Sequence, residues 1–351
     1  MHFHDILKKA VDKKASDVHI VANRAPIIRV DGELIEINEF PVLSASTIRE
    51  IAIEMLDDLQ ERRLEERKES DVVYQFDEAH RFRTNVFSER GNLSIVARLI
   101  PDTIPTLEDL GFNEKAKAFT HYKDGLVLLT GPTGHGKSTT LAAMVQHINQ
   151  ERTENIITLE DPIEFVFPRG KAIIKQRQFG SDFISFPESL KYIVRHDPDI
   201  IVVGEMRDPE TIATTITLAE TGHLVFSSLH TVNAGQTIHR ILDMFASDQK
   251  EQIRLQLAIT LRAVISQRLL PKVGGGRVAA REILVNTPAI ANLIRNNKLE
   301  QIPAMLQTGS DTGMMTMDQH LIGMVQHGVI SKEDAIFYMV NPELLDTPLA
   351  R

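Results

Sequence analysis

Residues 131–138 read Gly-Pro-Thr-Gly-His-Gly-Lys-Ser, set between an apolar run, Leu126-Val127-Leu128-Leu129, and a stretch opening Thr139-Thr140-Leu141. The chemistry this spacing supports is phosphate binding. Glycines at 131, 134 and 136 let successive backbone N–H groups converge, and the start of a helix adds partial positive charge. Pro132, Thr133, His135 and Thr139 complete the cradle. Lys137 is placed to reach the β- and γ-phosphates of a nucleotide, and the Ser138 hydroxyl to ligate Mg²⁺. The loop by itself implies a bound nucleoside triphosphate and nothing about its fate.

Hydrolysis needs carboxylates near the loop. Ile156–Leu159 is an apolar run that ends in Glu160-Asp161-Pro162-Ile163-Glu164, and Ile200–Val203 ends in Gly204-Glu205-Met206-Arg207-Asp208. In a sheet of buried parallel strands both acidic segments fall at the carboxyl edge, where ligands bind. There a carboxylate can organise Mg²⁺ or position the attacking water. Asp199, at the other end of its strand, reads as structural. His223 and His230 flank a third apolar run, Leu224–Leu229, seven residues apart. Odd spacing puts them on opposite faces, which argues against one zinc ion held by both. His230, at the carboxyl edge, is placed to meet the γ-phosphate; His223 has the weaker case.

The elements that must hold these residues follow from periodicity. Apolar runs at 126–129, 156–159, 200–203 and 224–227 alternate with helical patterns at 137–149, 187–196, 209–220 and 248–268, the signature of a parallel sheet covered on both faces. Gly274-Gly275-Gly276 turns into a further strand over 277–285, and 287–340 reads as helical. Ahead of this lies a smaller α+β pattern. It comprises a helix over 2–14, a strand at 17–21, a hairpin turning at Asp31-Gly32, and a long helix carrying Ile48, Ile51, Met55, Leu59 and Leu64, with Ser44 or Ser46 as its cap. Strands around 71–76, 81–87 and 92–100 close it. The proline-bearing stretch after Ile100 reads as a linker.

Bulk properties narrow the classes. The 351 residues are 42% hydrophobic and 25% charged, with a formal net charge of −9, an ordinary globular balance for about two domains. That charge, without a basic stripe interleaved with aromatics, argues against direct nucleic-acid binding. The absence of cysteine rules out disulfides and thiolate zinc modules and fits a reducing cytoplasm. The N-terminus lacks the order of a signal peptide, and no apolar run approaches the ~20 residues of a membrane span. Any work at a membrane is then expected to go through partners.

Taken in order, the four blocks closely resemble the secretion ATPases of type II secretion and type IV pili. The segment Arg195-His196-Asp197-Pro198-Asp199 through Gly204-Glu205-Met206-Arg207-Asp208 is the most specific part. Within that family the chain is most similar to the pilus retraction ATPases. The resemblance implies an α/β chain with four parts: a PAS-like N-terminal α+β domain over 1–100, a linker over 101–112, a RecA-like P-loop ATPase domain over 113–285, and a helical C-terminal extension over 286–351. It implies ATP and Mg²⁺ as ligands, ATP lying at the cleft between the two domains, a homo-hexamer in which a neighbour closes the ring, and a pilus platform protein of the inner membrane as partner on its cytoplasmic face. By position, Glu164 and Glu205 match the family's catalytic glutamates, Glu205 also serving Mg²⁺ with Ser138. His223 and His230 match its histidine pair. Arg83 and Arg98 match arginines that reach the phosphates from the N-terminal domain, a guanidinium role that residue type alone does not reveal. Retraction is favoured over assembly or secretion by the lack of a four-cysteine module and by Ala289-Ile290-Ala291-Asn292-Leu293-Ile294-Arg295-Asn296. That segment resembles a retraction motif with Ala291 for Arg and Asn296 for Glu. The alternative is an accessory retraction motor, or an assembly or secretion ATPase. His135, usually Ser in the family, is expected to add a pH-dependent charge beside the nucleotide.

Overall fold

A computed structural model of the chain describes residues 3–30, 32–77, 80–100 and 103–346. Asp31 of the expected turn, and Pro101 and Asp102 of the expected linker, lie outside the described residues. The chain divides into two compact units, Met1–Thr103 and Ile104–Arg351.

In the first unit six strands form one sheet. They are β1 (Asp17–Ile20), β2 (Ile27–Val30), β3 (Glu33–Glu36), β4 (Glu69–Gln75), β5 (Arg81–Glu89) and β6 (Asn92–Ile100). Their order is β3-β2-β1-β6-β5-β4, with antiparallel neighbours throughout. Helix Phe3–Asp12 contributes Phe3, Ile6 and Leu7 to the core, and helix Ala45–Met55 contributes Ile48 and Ile51. The long helix expected through Leu64 is two helices. Ser44 caps the first by accepting from the Thr47 N–H. Leu56 is extended, and Asp57 then caps a second helix, Asp58–Arg67, in a reciprocal capping box with Gln60. That Asp-x-x-Gln signal is strong enough to restart a helix.

The second unit is built on seven strands: β7 (Gly125–Thr130), β8 (Asn155–Glu160), β9 (Ile173–Gln178), β10 (Ile200–Val203), β11 (Leu224–Leu229), β12 (Leu261–Pro271) and β13 (Arg277–Val285). Their order is β13-β12-β7-β11-β10-β8-β9. Six run parallel, while β13 pairs antiparallel with β12. Alternation along each strand feeds two cores. Leu126, Leu128, Ile201 and Val203 pack under helices Pro209–Glu220, Ala234–Asp243 and Ser247–Thr260. Val127, Leu129, Ile200 and Val202 pack under the helix Lys137–Glu151.

In this unit one expectation needs correction and one strand was missed. The helix read over 248–268 stops at Thr260, and the chain continues as β12. β9 was not anticipated, because its residues are exposed or half-buried and its second half is polar, so it gives no apolar run. The segment 289–296 forms the helix Pro288–Arg295, with Ile290 and Ile294 fully buried.

Candidate active site

β7 delivers the loop. All six of its residues are buried, and Thr130 Oγ1 donates to Ser266 Oγ of β12 at 2.9 Å. The chain then turns at Gly131 with φ +143°, where a Cβ would stand 2.3 Å from the Gln267 carbonyl oxygen, so glycine is required. The helix Lys137–Glu151 begins after Gly136 without a side-chain cap. Its first N–H groups are therefore left for an anion.

Behind the loop, Gln267 is 3% exposed and ties three groups together. Its Nε2 donates to the His135 carbonyl at 2.7 Å, and its Oε1 accepts from Thr140 Oγ1 at 2.9 Å and Arg281 Nε at 3.1 Å. Arg281 is itself buried, its guanidinium 4.1 Å from the centre of the Phe112 ring, and burial lowers its pKa to about 10. His135 is anchored a second time, its Nδ1 accepting from the Leu269 N–H at 2.9 Å. Burial, with the charges of Arg268, Lys137 and Arg277, holds this imidazole below its ordinary value. The expected charge at His135 is disfavoured in this setting, where the ring serves as an acceptor that fixes the loop.

Lys137 is buried, and its Nζ donates to the carbonyls of Gly131 at 2.7 Å and Pro132 at 3.0 Å. Burial lowers its pKa, opposed by the charges of Glu205 and Glu164. His230 stands between the ammonium and Glu205, with Nδ1 at 3.5 Å from Lys137 Nζ and Nε2 at 3.3 Å from Glu205 Oε2. Glu205 also pairs with Arg207. Burial would raise this carboxyl, but the hydrogen bond and charge of Arg207, then those of His230, bring it below the usual range. Lys137, His230 and Glu205 thus form one chain of contacts at the carboxyl edge.

The other acidic segment divides its labour. Glu160 turns inward, accepting from Thr158 Oγ1 at 2.6 Å and Gln176 Nε2 at 3.0 Å, and burial raises its pKa. Asp161 lies 3.8 Å from Arg207. Glu164 is half-buried beside buried Phe165. The Gln178 side chain on β9 accepts from the Ile163 N–H at 3.2 Å, and Gln176 donates to the Phe165 carbonyl at 2.8 Å. Edge strand β9 is therefore what positions Glu164. Ser138 is exposed on the first helical turn. With Glu205 it offers a set of hard oxygen donors, which suits Mg²⁺ rather than a softer metal.

Three expected residues belong to other elements. His223 precedes the amino end of β11, its Nδ1 2.9 Å from the Leu218 carbonyl, so this chain does not bring it to the loop. Arg83 and Arg98 belong to the first unit, directly opposite each other on β5 and β6. Both are exposed, and Arg98 Nε donates to the buried Asp17 at 2.7 Å. Burial would raise Asp17, but hydrogen bonds from Ser16 and Arg98 and the Arg98 charge lower it. Sequence reasoning missed Gln267, Arg281 and Arg207 as site residues. The first two lie on β12 and β13, and the apolar run Ala263-Val264-Ile265 bounded by Pro271 was the available signal for β12.

Comparison with known proteins agrees with the resemblance drawn from the motifs. A family model for type II/IV secretion system proteins matches residues 1–336. The chain is 45% identical over 335 residues to a type IV pilus retraction ATPase, PilT, of Pseudomonas aeruginosa, covering 95% of this chain and 97% of that one. It is 45% identical to a twitching motility protein of Neisseria gonorrhoeae, covering 90% and 84%. A crystal structure of the pilus retraction motor PilT with bound ADP superposes with a TM-score of 0.90 at 44% identity, covering 99% of both chains.

Proposed function

This chain belongs to the type II/IV secretion system protein family, and we propose that it is an ATP-hydrolysing motor that retracts type IV pili. The observation that carries the site assignment is the contact chain Lys137–His230–Glu205 at the mouth of the glycine loop. The loop N–H groups and Lys137 bind and orient the triphosphate. Ser138 and Glu205 hold Mg²⁺, which when bound neutralises charge on the transferring phosphoryl group. Glu164 positions the attacking water, and Glu205 shares in ordering it. His230, touching both Lys137 and Glu205, senses whether a γ-phosphate lies between them. Arg83 and Arg98 supply cations from the first unit, so that domain movement and hydrolysis are coupled.

The working assembly is a homo-hexamer on the cytoplasmic face of the inner membrane, engaging a pilus platform protein without direct nucleic-acid contact. Among the described residues no helix is long and apolar enough to cross a membrane, so in this reading membrane attachment comes through that partner. Lys137→Ala and Glu205→Ala are expected to abolish Mg²⁺-dependent phosphate release; undiminished release in either refutes the assignment. A deletion strain should keep surface pili and lose twitching, whereas a strain without pili would make this an assembly motor.

A further inference from the structure

The helix that begins at the phosphate loop ends in a second cluster of chemistry-bearing side chains. His147 and Glu151 are one turn apart at its C-terminal end, and His121 faces them from the short turn Ala118–His121. Both imidazoles aim Nε2 at the same carboxylate oxygen, Glu151 Oε2, at 3.7 Å for His121 and 3.4 Å for His147. The three ligand atoms lie within 4.8 Å of one another. The rings meet edge to face, with centroids 6.0 Å apart. We propose that His121, His147 and Glu151 form a binding site for a divalent transition-metal ion, zinc foremost, separate from the nucleotide site.

The geometry fits metal ligation better than a pair of surface contacts. Metal–nitrogen and metal–oxygen bonds near 2.0–2.2 Å put the ligand atoms of a tetrahedral site roughly 3.4 Å apart. The two His–Glu separations already sit near that edge. Two imidazoles and one carboxylate make the donor set of a three-ligand zinc site with its fourth position open, and imidazole nitrogen favours such metals over Mg²⁺.

The scaffold is fixed before any metal arrives. Arg152 Nη1 donates to the Thr120 carbonyl at 2.6 Å and the Tyr122 carbonyl at 3.1 Å, clamping the His121 turn to the helix end. Phe119 anchors the same turn at 2% exposure. The negative end of the helix dipole favours a cation here. The cluster lines a cleft of about 240 Å³ that also holds Glu108, Glu114 and Lys117. Lys117 is paired with both glutamates, so three carboxylates face one ammonium and the cleft stays net negative.

The test is calorimetric titration of Zn²⁺ into the full chain at about neutral pH with Mg·ADP saturating, so that the nucleotide site is occupied. One zinc per chain is expected, lost in His121→Ala and His147→Ala and retained in His196→Ala, an exposed histidine on another element. Glu151→Gln should weaken binding roughly tenfold or more, since a neutral amide oxygen is the poorer ligand. Wild-type chain loaded with Co²⁺ should show visible ligand-field absorption that Zn²⁺ removes, a readout independent of any variant's folding. No zinc uptake, uptake undiminished in both histidine variants, or no Co²⁺ band would each overturn the site.

Discussion

Replacing Gln267 with leucine tests whether the loop's shape is imposed from behind. The side chain is 3% exposed, and leucine matches its bulk while removing three hydrogen bonds at once. The substitution leaves the His135 carbonyl, the Thr140 hydroxyl and Arg281 Nε without their partner. Arg281 Nη2 already lacks one. An orphaned buried polar group costs about 1–3 kcal/mol, more when charged. Allowing for relaxation and water entry, the expected loss is on the order of 3–5 kcal/mol. Urea unfolding followed by circular dichroism should show this as a lower midpoint for the Ile104–Arg351 unit. ADP binding, measured below the unfolding range, should weaken further, because the His135 carbonyl is part of the loop. A midpoint and an ADP affinity both indistinguishable from wild type would refute the idea that β12 holds the loop.

Three other outcomes follow from the same geometry. His320, whose Nδ1 accepts from the Arg281 N–H at 2.8 Å, is lowered by burial from 6.5 to about 4. The unfolded ring protonates near its ordinary value and the folded ring well below it, so stability present above that ordinary value is lost as pH falls through the window between the two. The difference amounts to ~3 kcal/mol at about 1.4 kcal/mol per unit. Glu160 and Glu282, raised by burial, act in the opposite sense. The comparison is therefore with His320→Gln, whose stability profile by chemical denaturation should be flatter across that window; parallel profiles would count against it. Gly131→Ala meets a backbone oxygen at 2.3 Å, whereas Gly134→Ala meets open space at φ +79°. The first should cost upwards of ~2 kcal/mol and abolish ADP binding, and the second about 1 kcal/mol, both read by thermal unfolding with and without ADP. His230→Ala should lower ATP turnover by roughly tenfold or more with KM little changed; a pure KM effect in steady-state phosphate release would make His230 a simple binding residue.

Most of the site was legible because its signals are local. Gly131, Gly136, Lys137 and Ser138 need a strand before them and a helix after, and both are readable from neighbouring residues. Glu205 and His230 follow apolar runs whose carboxyl ends coincide in any parallel sheet. What escaped depends on pairing between distant segments. The period of Ile253, Leu257 and Leu261 continues a helix as easily as it starts a strand. Only the partners β7 and β13 make 261–271 extended, and with it place Gln267 behind the loop. Glu164 was named, but the strand that holds it was not, since β9 is an exposed edge that carries no hydrophobic pattern.

The sequence by itself determined that this chain has a phosphate loop, two acidic strand ends and the order of blocks that marks its family. These rest on backbone freedom, strand polarity and residue type, which need no knowledge of what lies across the sheet. The tertiary structure decided the rest. His230 joins Lys137 to Glu205 while His223 stays at the far end of β11, because one strand spans the sheet and its two ends cannot meet. His135 is a half-buried acceptor that fixes the loop, because the Leu269 N–H takes its lone pair. His121 comes to His147 and Glu151 through the Arg152 clamp, a juxtaposition of segments that no local pattern announces.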